Sequence, residues 1–86
     1  MSKVIVHRHV VKYLQHLPSE AKDRIKNLLK HLEENPLNHP NIRKMAGEWS
    51  GYYRIRSGNL RIIFWYDKED DVVYVDYIGP RGDIYK

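Results

Sequence analysis

The sequence predicts an α+β fold of order β-α-α-β-β-β, with a helical hairpin packed on one face of a small, mostly antiparallel twisted sheet. Three observations carry that prediction. Apolar residues recur at helical spacing between Val10 and Leu32. From Tyr52 onward the period drops to two. Two turn segments, Ser57-Gly58-Asn59 and Asp67 to Asp71, then divide the second half into three consecutive strands, which must pair as an antiparallel meander. At 86 residues the chain fits one domain, 1–86, with a thin core and a helix pair that can cover only one side of the sheet.

Lys3 to Arg8 reads as a strand, since Val4-Ile5-Val6 is β-branched throughout. Arg8 to His16 is a short helix, with Val10, Leu14 and Leu17 at i, i+4 and i+7. Pro18 stands where a second helix begins, a position proline tolerates because its missing N–H had no partner there. Glu20 and Asp23 suit the start of that helix, and Asn35-Pro36 stops it. Its apolar stripe is Ala21, Ile25, Leu28, Leu29 and Leu32. Leu37 to Gly51 shows little periodicity and reads as a long irregular connection anchored by Trp49. Tyr52 to Arg56 sets Tyr53 and Ile55 on one face, with Tyr52, Arg54 and Arg56 on the other. Leu60 to Tyr66 alternates likewise, placing Arg61, Ile63 and Trp65 opposite Leu60, Ile62, Phe64 and Tyr66. Val72 to Ile78 is the fourth strand, and Gly79 to Lys86 the tail.

Composition excludes several classes. With no cysteine there is no disulfide scaffold, thiolate metal site or thiol nucleophile, and the expected compartment is the cytoplasm. The longest apolar run, Ile62 to Tyr66, is far too short for a bilayer, so no membrane partner is expected. His7 and His9 fall on one face of the predicted strand, but a third ligand is missing, so no metal is assigned; His16, His31 and His39 form no ligand spacing. No Walker loop, dinucleotide glycine pattern or G-x-S-x-G is present, and no cofactor is expected.

Charge is more informative. The segment Asp67 to Asp71 carries a net −3, leaving +7 on the rest of a chain whose total is +4. Between Arg43 and Arg61 five cations (Arg43, Lys44, Arg54, Arg56, Arg61) accompany one acid, Glu48, and are interleaved with Trp49, Tyr52 and Tyr53. Arginines mixed with aromatics are the composition of a surface that binds phosphates and stacks bases. If Ile55, Leu60, Ile62 and Phe64 face the helices, Arg54, Arg56 and Arg61 share the uncovered face, with Asp76 as the nearby acid. Arginine can clamp a phosphate oxygen bidentately and stabilise charge developing at phosphorus. RNA supplies its own nucleophile, the ribose 2′-OH, so such a site needs positioning and charge above all.

The element order, the stretch Tyr53 to Phe64 and the ending Ile78 to Tyr85 resemble the RelE toxins of the RelE/ParE superfamily, as does Lys44 to Gly47, which is similar to the family's K-L-x-G. The resemblance spans nearly the whole chain. It implies a type II toxin–antitoxin toxin that cuts messenger RNA in the ribosomal A site. The implied step is 2′-OH attack on the adjacent phosphorus, leaving a 2′,3′-cyclic phosphate and a 5′-OH. By the same resemblance Arg61 and Arg81 hold the scissile phosphate and Tyr85 stacks on or orients the attacked nucleotide. The resemblance also has Arg54 and Arg56 neutralise charge and assist proton transfer, while the mix of arginines and aromatics marks Arg43, Lys44 and Tyr52 as RNA contacts. The implied partners are a RelB-like antitoxin, the ribosome and mRNA; the +7 outside the acidic loop predicts a monomeric free toxin. Two departures stand out: Ala46 replaces a basic residue often found before the glycine, and the strand-two pair is Arg-Arg rather than Lys-Lys. Arginine effectively never loses its proton, which leaves Tyr85, Glu48 or a ribosomal group as base. The alternative is a ParE-like inhibitor of DNA gyrase that cuts nothing.

Overall fold

The computed structural model describes residues 2–80; Arg81 and Tyr85, assigned to the site by resemblance, lie outside the described residues. Val4 and Val6 point inward from β1 (Lys3–Val6), which pairs in parallel with the last strand, Val6 opposite Val75. The strand ends two residues earlier than expected because His7 turns the chain: its Nδ1 accepts the His9 N–H at 3.3 Å and caps α1 (Arg8–Gln15). His7 and His9 therefore do not share a strand face. Their rings lie 4.0 Å apart across the cap, and among the described residues no third ligand joins them. Pro18 precedes α2 (Ser19–Glu34) as its N-cap, one position before the one expected. Ile25 and Leu32, two turns apart, are fully buried, and Leu28 and Leu29 flank them.

The connection expected to be irregular holds β2 (Ile42–Lys44) and one 3₁₀ turn (Gly47–Trp49). Only Ile42 in β2 is apolar; the strand exists because β3 (Tyr53–Ser57) offers it a partner edge, Ile42 lying opposite Ile55 and Lys44 opposite Tyr53. Gly58-Asn59 joins β3 to β4 (Leu60–Asp67), and Gly58 alone of the two has positive φ, +58°, the signature of a type II′ turn that matches the strand twist. The last strand, β5 (Val72–Pro80), runs two residues beyond its expected end at Ile78. The result is a five-stranded mixed sheet of order β1-β5-β4-β3-β2, with both helices on one face.

One irregularity decides which residues reach the core. Strict alternation would bury Val73, Val75 and Tyr77 and expel Ile78. Instead Ile63 pairs with Tyr77 and Phe64 with Val75, so Asp76 has no opposite number on β4. This bulge flips the phase of the strand. Val73, Val75 and Ile78 all join Ile55, Ile62 and Phe64 under the helices, and Tyr77 turns out to solvent.

Asp71 fastens the amino terminus. It takes a left-handed φ of +56°, its carbonyl accepts the Lys3 N–H at 3.0 Å, and its Oδ1 accepts the hydroxyls of Ser2 at 2.6 Å and Tyr66 at 2.5 Å. Those hydrogen bonds, Ser2 first, hold the carboxyl below its ordinary 3.8. A folded value below the unfolded one contributes stability above the unfolded value, lost as pH falls through the folded value. The melting temperature of the wild type should therefore exceed that of Asp71→Asn at about pH 6, and the gap should narrow as pH falls below the ordinary 3.8 and through the lowered folded value. A gap unchanged across thermal melts over that range would show the carboxylate charge to be irrelevant.

Candidate nucleic-acid interface

The face away from the helices is built by register. On β2 and β3 Arg43 lies opposite Arg54, and on β3 and β4 Arg56 lies opposite Arg61, across the Gly58-Asn59 turn. Arg56 and Arg61, expected to share the uncovered face, are thus a direct cross-strand pair. Side chains opposite one another stand about 5 Å apart at Cβ, where like charges repel unless an anion lies between them. Arg54 and Arg61 are half-buried, with the Arg61 Nε out of contact with solvent, whereas Arg43 and Arg56 are exposed. Arg43 is folded back, its Nη1 donating to the carbonyls of Pro40 at 2.7 Å and Ile42 at 3.0 Å. That tether fixes a long side chain at the rim. The hollow so formed, about 390 Å³, is lined by Arg43, Arg54, Arg56 and Asn41: three guanidiniums and an amide.

A second depression of about 430 Å³ adjoins it, lined by Arg54 with Lys44, Glu48 and Trp49 among others. Lys44 is out of phase with the arginines and reaches this depression from the sheet edge. The Trp49 ring meets Tyr52 edge-to-face at 5.3 Å. The Tyr52 hydroxyl donates to Asp76 Oδ2 at 3.1 Å. Burial first, and the hydrogen bond and charge of Asp76 second, raise the phenol above its ordinary 10, so it stays protonated at neutral pH. Farther along the same face Trp65 stacks on Tyr74 at 4.4 Å.

The structure brings Arg43, Arg54, Arg56, Arg61 and Tyr52 to one face, with Lys44 at its margin; the placement of Arg81 and Tyr85 is outside the described residues. Sequence reasoning missed Asn41, whose side chain donates to the Arg56 carbonyl at 3.4 Å. No spacing marks it, because it enters through β2, itself formed only by pairing. Chemically the face can bind phosphate and stabilise negative charge on it, and its arginines cannot accept protons.

Comparison with known proteins agrees with this architecture. The family model described as ParE toxin of type II toxin–antitoxin system, parDE, matches residues 4–85. Toxin RelE3 of Methanocaldococcus jannaschii is 40% identical over 63 residues, covering 70% of each chain. Among solved structures, the archaeal RelE–RelB complex from Pyrococcus horikoshii matches at TM-score 0.84 and 31% identity, over 95% of this chain and 97% of that one. The RelB–RelE antitoxin–toxin complex from Methanococcus jannaschii matches at TM-score 0.75 and 27% identity, over 95% of each. With a helical hairpin on one side of the sheet, an arginine face on the other and a family match along nearly its whole length, this chain belongs to the ParE toxin family, within the RelE/ParE superfamily of type II toxin–antitoxin toxins.

Proposed function

We propose that this toxin is a ribosome-dependent endoribonuclease that cuts mRNA in the ribosomal A site. The observation that carries the reading is the hollow between Arg43, Arg54 and Arg56, continued by Arg61 across the turn, which suits a phosphodiester better than any neutral ligand. In the proposed step the ribose O2′ attacks phosphorus. The O2′–P bond forms, the P–O5′ bond breaks, one proton leaves O2′ and one reaches O5′. Arg61 and Arg81 hold the scissile phosphate, Arg54 and Arg56 neutralise the charge gathering on its oxygens, and Tyr85 stacks on the nucleotide. Tyr52, kept protonated beside Asp76, contacts RNA as a hydrogen-bond group and not as a base. The O2′ proton goes to Glu48, which lines the depression next to Arg54, to Tyr85 or to a group of the ribosome. The partner that neutralises the toxin is a RelB-like antitoxin, as in the solved relatives.

Arginines cannot relay protons, and among the described residues nothing on this shallow face bends RNA into line, so the ribosome supplies that geometry. Naked single-stranded RNA should be cut at least about 100-fold more slowly than ribosome-bound message. Cell-free translation followed by primer extension checks this. Codon-phased breaks that require ribosomes support the nuclease; intact message together with arrested DNA supercoiling would favour the alternative of a gyrase inhibitor.

A further inference from the structure

We infer that a second phosphate-binding subsite lies around the β2 edge of the sheet, on its helix side, and takes another backbone phosphate of the RNA. The inference rests on the reading that the arginine face binds RNA, and it turns on Arg24, His31 and His39, to which that reading gives no role. A pocket of about 450 Å³ opens between α2, the loop before β2 and the β3–β4 turn. Arg24, Asn27 and His31 lie three, four and seven positions apart and so share one face of α2 toward it. Arg24 spans to the turn, where a Cβ on Gly58 would lie 3.8 Å from its Nη2. His39 comes from the loop, its ring 4.9 Å from that of His31 and nearly perpendicular to it.

Both imidazoles are held by backbone. His31 Nε2 lies 2.7 Å from the Asn38 carbonyl, which can only accept, so that nitrogen carries a proton. His39 Nδ1 accepts the Asn41 N–H at 3.0 Å, which places the proton of the neutral ring on Nε2. The lining offers guanidinium, imidazole, amide and hydroxyl groups and includes no carboxylate among the described residues. Asn41 and Arg56 line this pocket and the arginine hollow alike. Two adjoining anion sites with a common wall fit a polymer of regularly repeated phosphates. Burial, and then the charge of His31, holds the His39 imidazole below its ordinary 6.5, a strain that an anion in the pocket relieves.

The test has two arms. Inorganic pyrophosphate is titrated while the His31 and His39 ring signals are followed by NMR: saturable shifts that vanish in Arg24→Ala are expected. Binding of a fluorescent single-stranded oligoribonucleotide is then measured against salt. Arg24→Ala should weaken it about five- to tenfold and lower the salt slope by about 0.7, one phosphate of a single strand, with Arg24→Lys restoring the slope. Arg24→Ala and His39→Gln with wild-type affinity and slope, alongside weakened Arg54→Ala, would overturn the subsite and leave the arginine face standing. Ring shifts from a polyglutamate peptide but none from pyrophosphate would assign the pocket to an acidic protein segment and also overturn it. Pyrophosphate binding with Arg61→Ala still fully toxic would sink the nuclease reading while sparing the pocket's phosphate chemistry.

Discussion

Replacing Arg61 with alanine is expected to lower single-turnover cleavage on programmed ribosomes by at least about 100-fold, the scale on which a charge-assisted contact to a transition state is lost. Lys3→Ala and Lys68→Ala, at exposed sites on the rim and in the acidic loop, should cleave as the wild type does. Arg61 differs from its neighbour Arg56 in being half-buried with its Nε out of solvent contact, so its guanidinium is held in place where that of Arg56 is exposed. Preorganised charge stabilises a transition state without reorganising at the moment of reaction, so Arg56→Ala should lose less. Partial burial also means that Arg61→Ala lowers stability, by about 1 kcal/mol, which leaves the domain folded. Arg61→Lys separates charge from the planar fork: a variant that recovers little activity identifies bidentate contact as the need. Growth arrest on induction gives the parallel readout in cells. If Arg61→Ala is folded and fully toxic, the arginine face is not the active site.

Phe64→Ala is expected to destabilise the fold by about 3–5 kcal/mol, through the lost transfer energy and the cavity left behind. The side chain is wholly buried, lies opposite Val75 on β5, and stacks on Tyr53 at 5.7 Å beneath both helices. Domains of this kind are stable by about 5–15 kcal/mol, so a substantial unfolded fraction is expected in mild denaturant. In urea the midpoint should fall with an unchanged slope. Tyr77→Ala provides the contrast. Without the Asp76 bulge Tyr77 would be a core residue, but it is 38% exposed, and its loss should cost less than about 1 kcal/mol. Equal losses at Phe64 and Tyr77 would contradict the bulged register.

Much of the fold was legible in the sequence because the signals are local. The apolar stripe from Ala21 to Leu32 needs only helical spacing, and the β3–β4 hairpin needs only a period of two on each side of Gly58. The same locality put Arg56 beside Arg61, since a two-residue turn leaves no freedom in their register. Membership of the superfamily was legible for a related reason: the motif from Tyr53 to Phe64 and the order of elements lie in one continuous stretch of chain.

Tertiary structure decided the rest. Ile42-Arg43-Lys44 has one apolar residue and no strand signal of its own, and it becomes β2 only against the edge of β3; that pairing sets Arg43 opposite Arg54 and carries Asn41 into the hollow. The bulge at Asp76 answers to burial: Val75 and Ile78, three positions apart, both gain by reaching the core, and no pattern within β5 signals it. His31 and His39 look unrelated along the chain and meet because the end of α2 and the loop that follows fold against each other. Neighbour-to-neighbour preferences thus determined the helices, the hairpin and the family. The contacts that complete the arginine hollow, and the pocket beside it, depend on chain segments brought together only when apolar surface is buried, an energy no single segment contains.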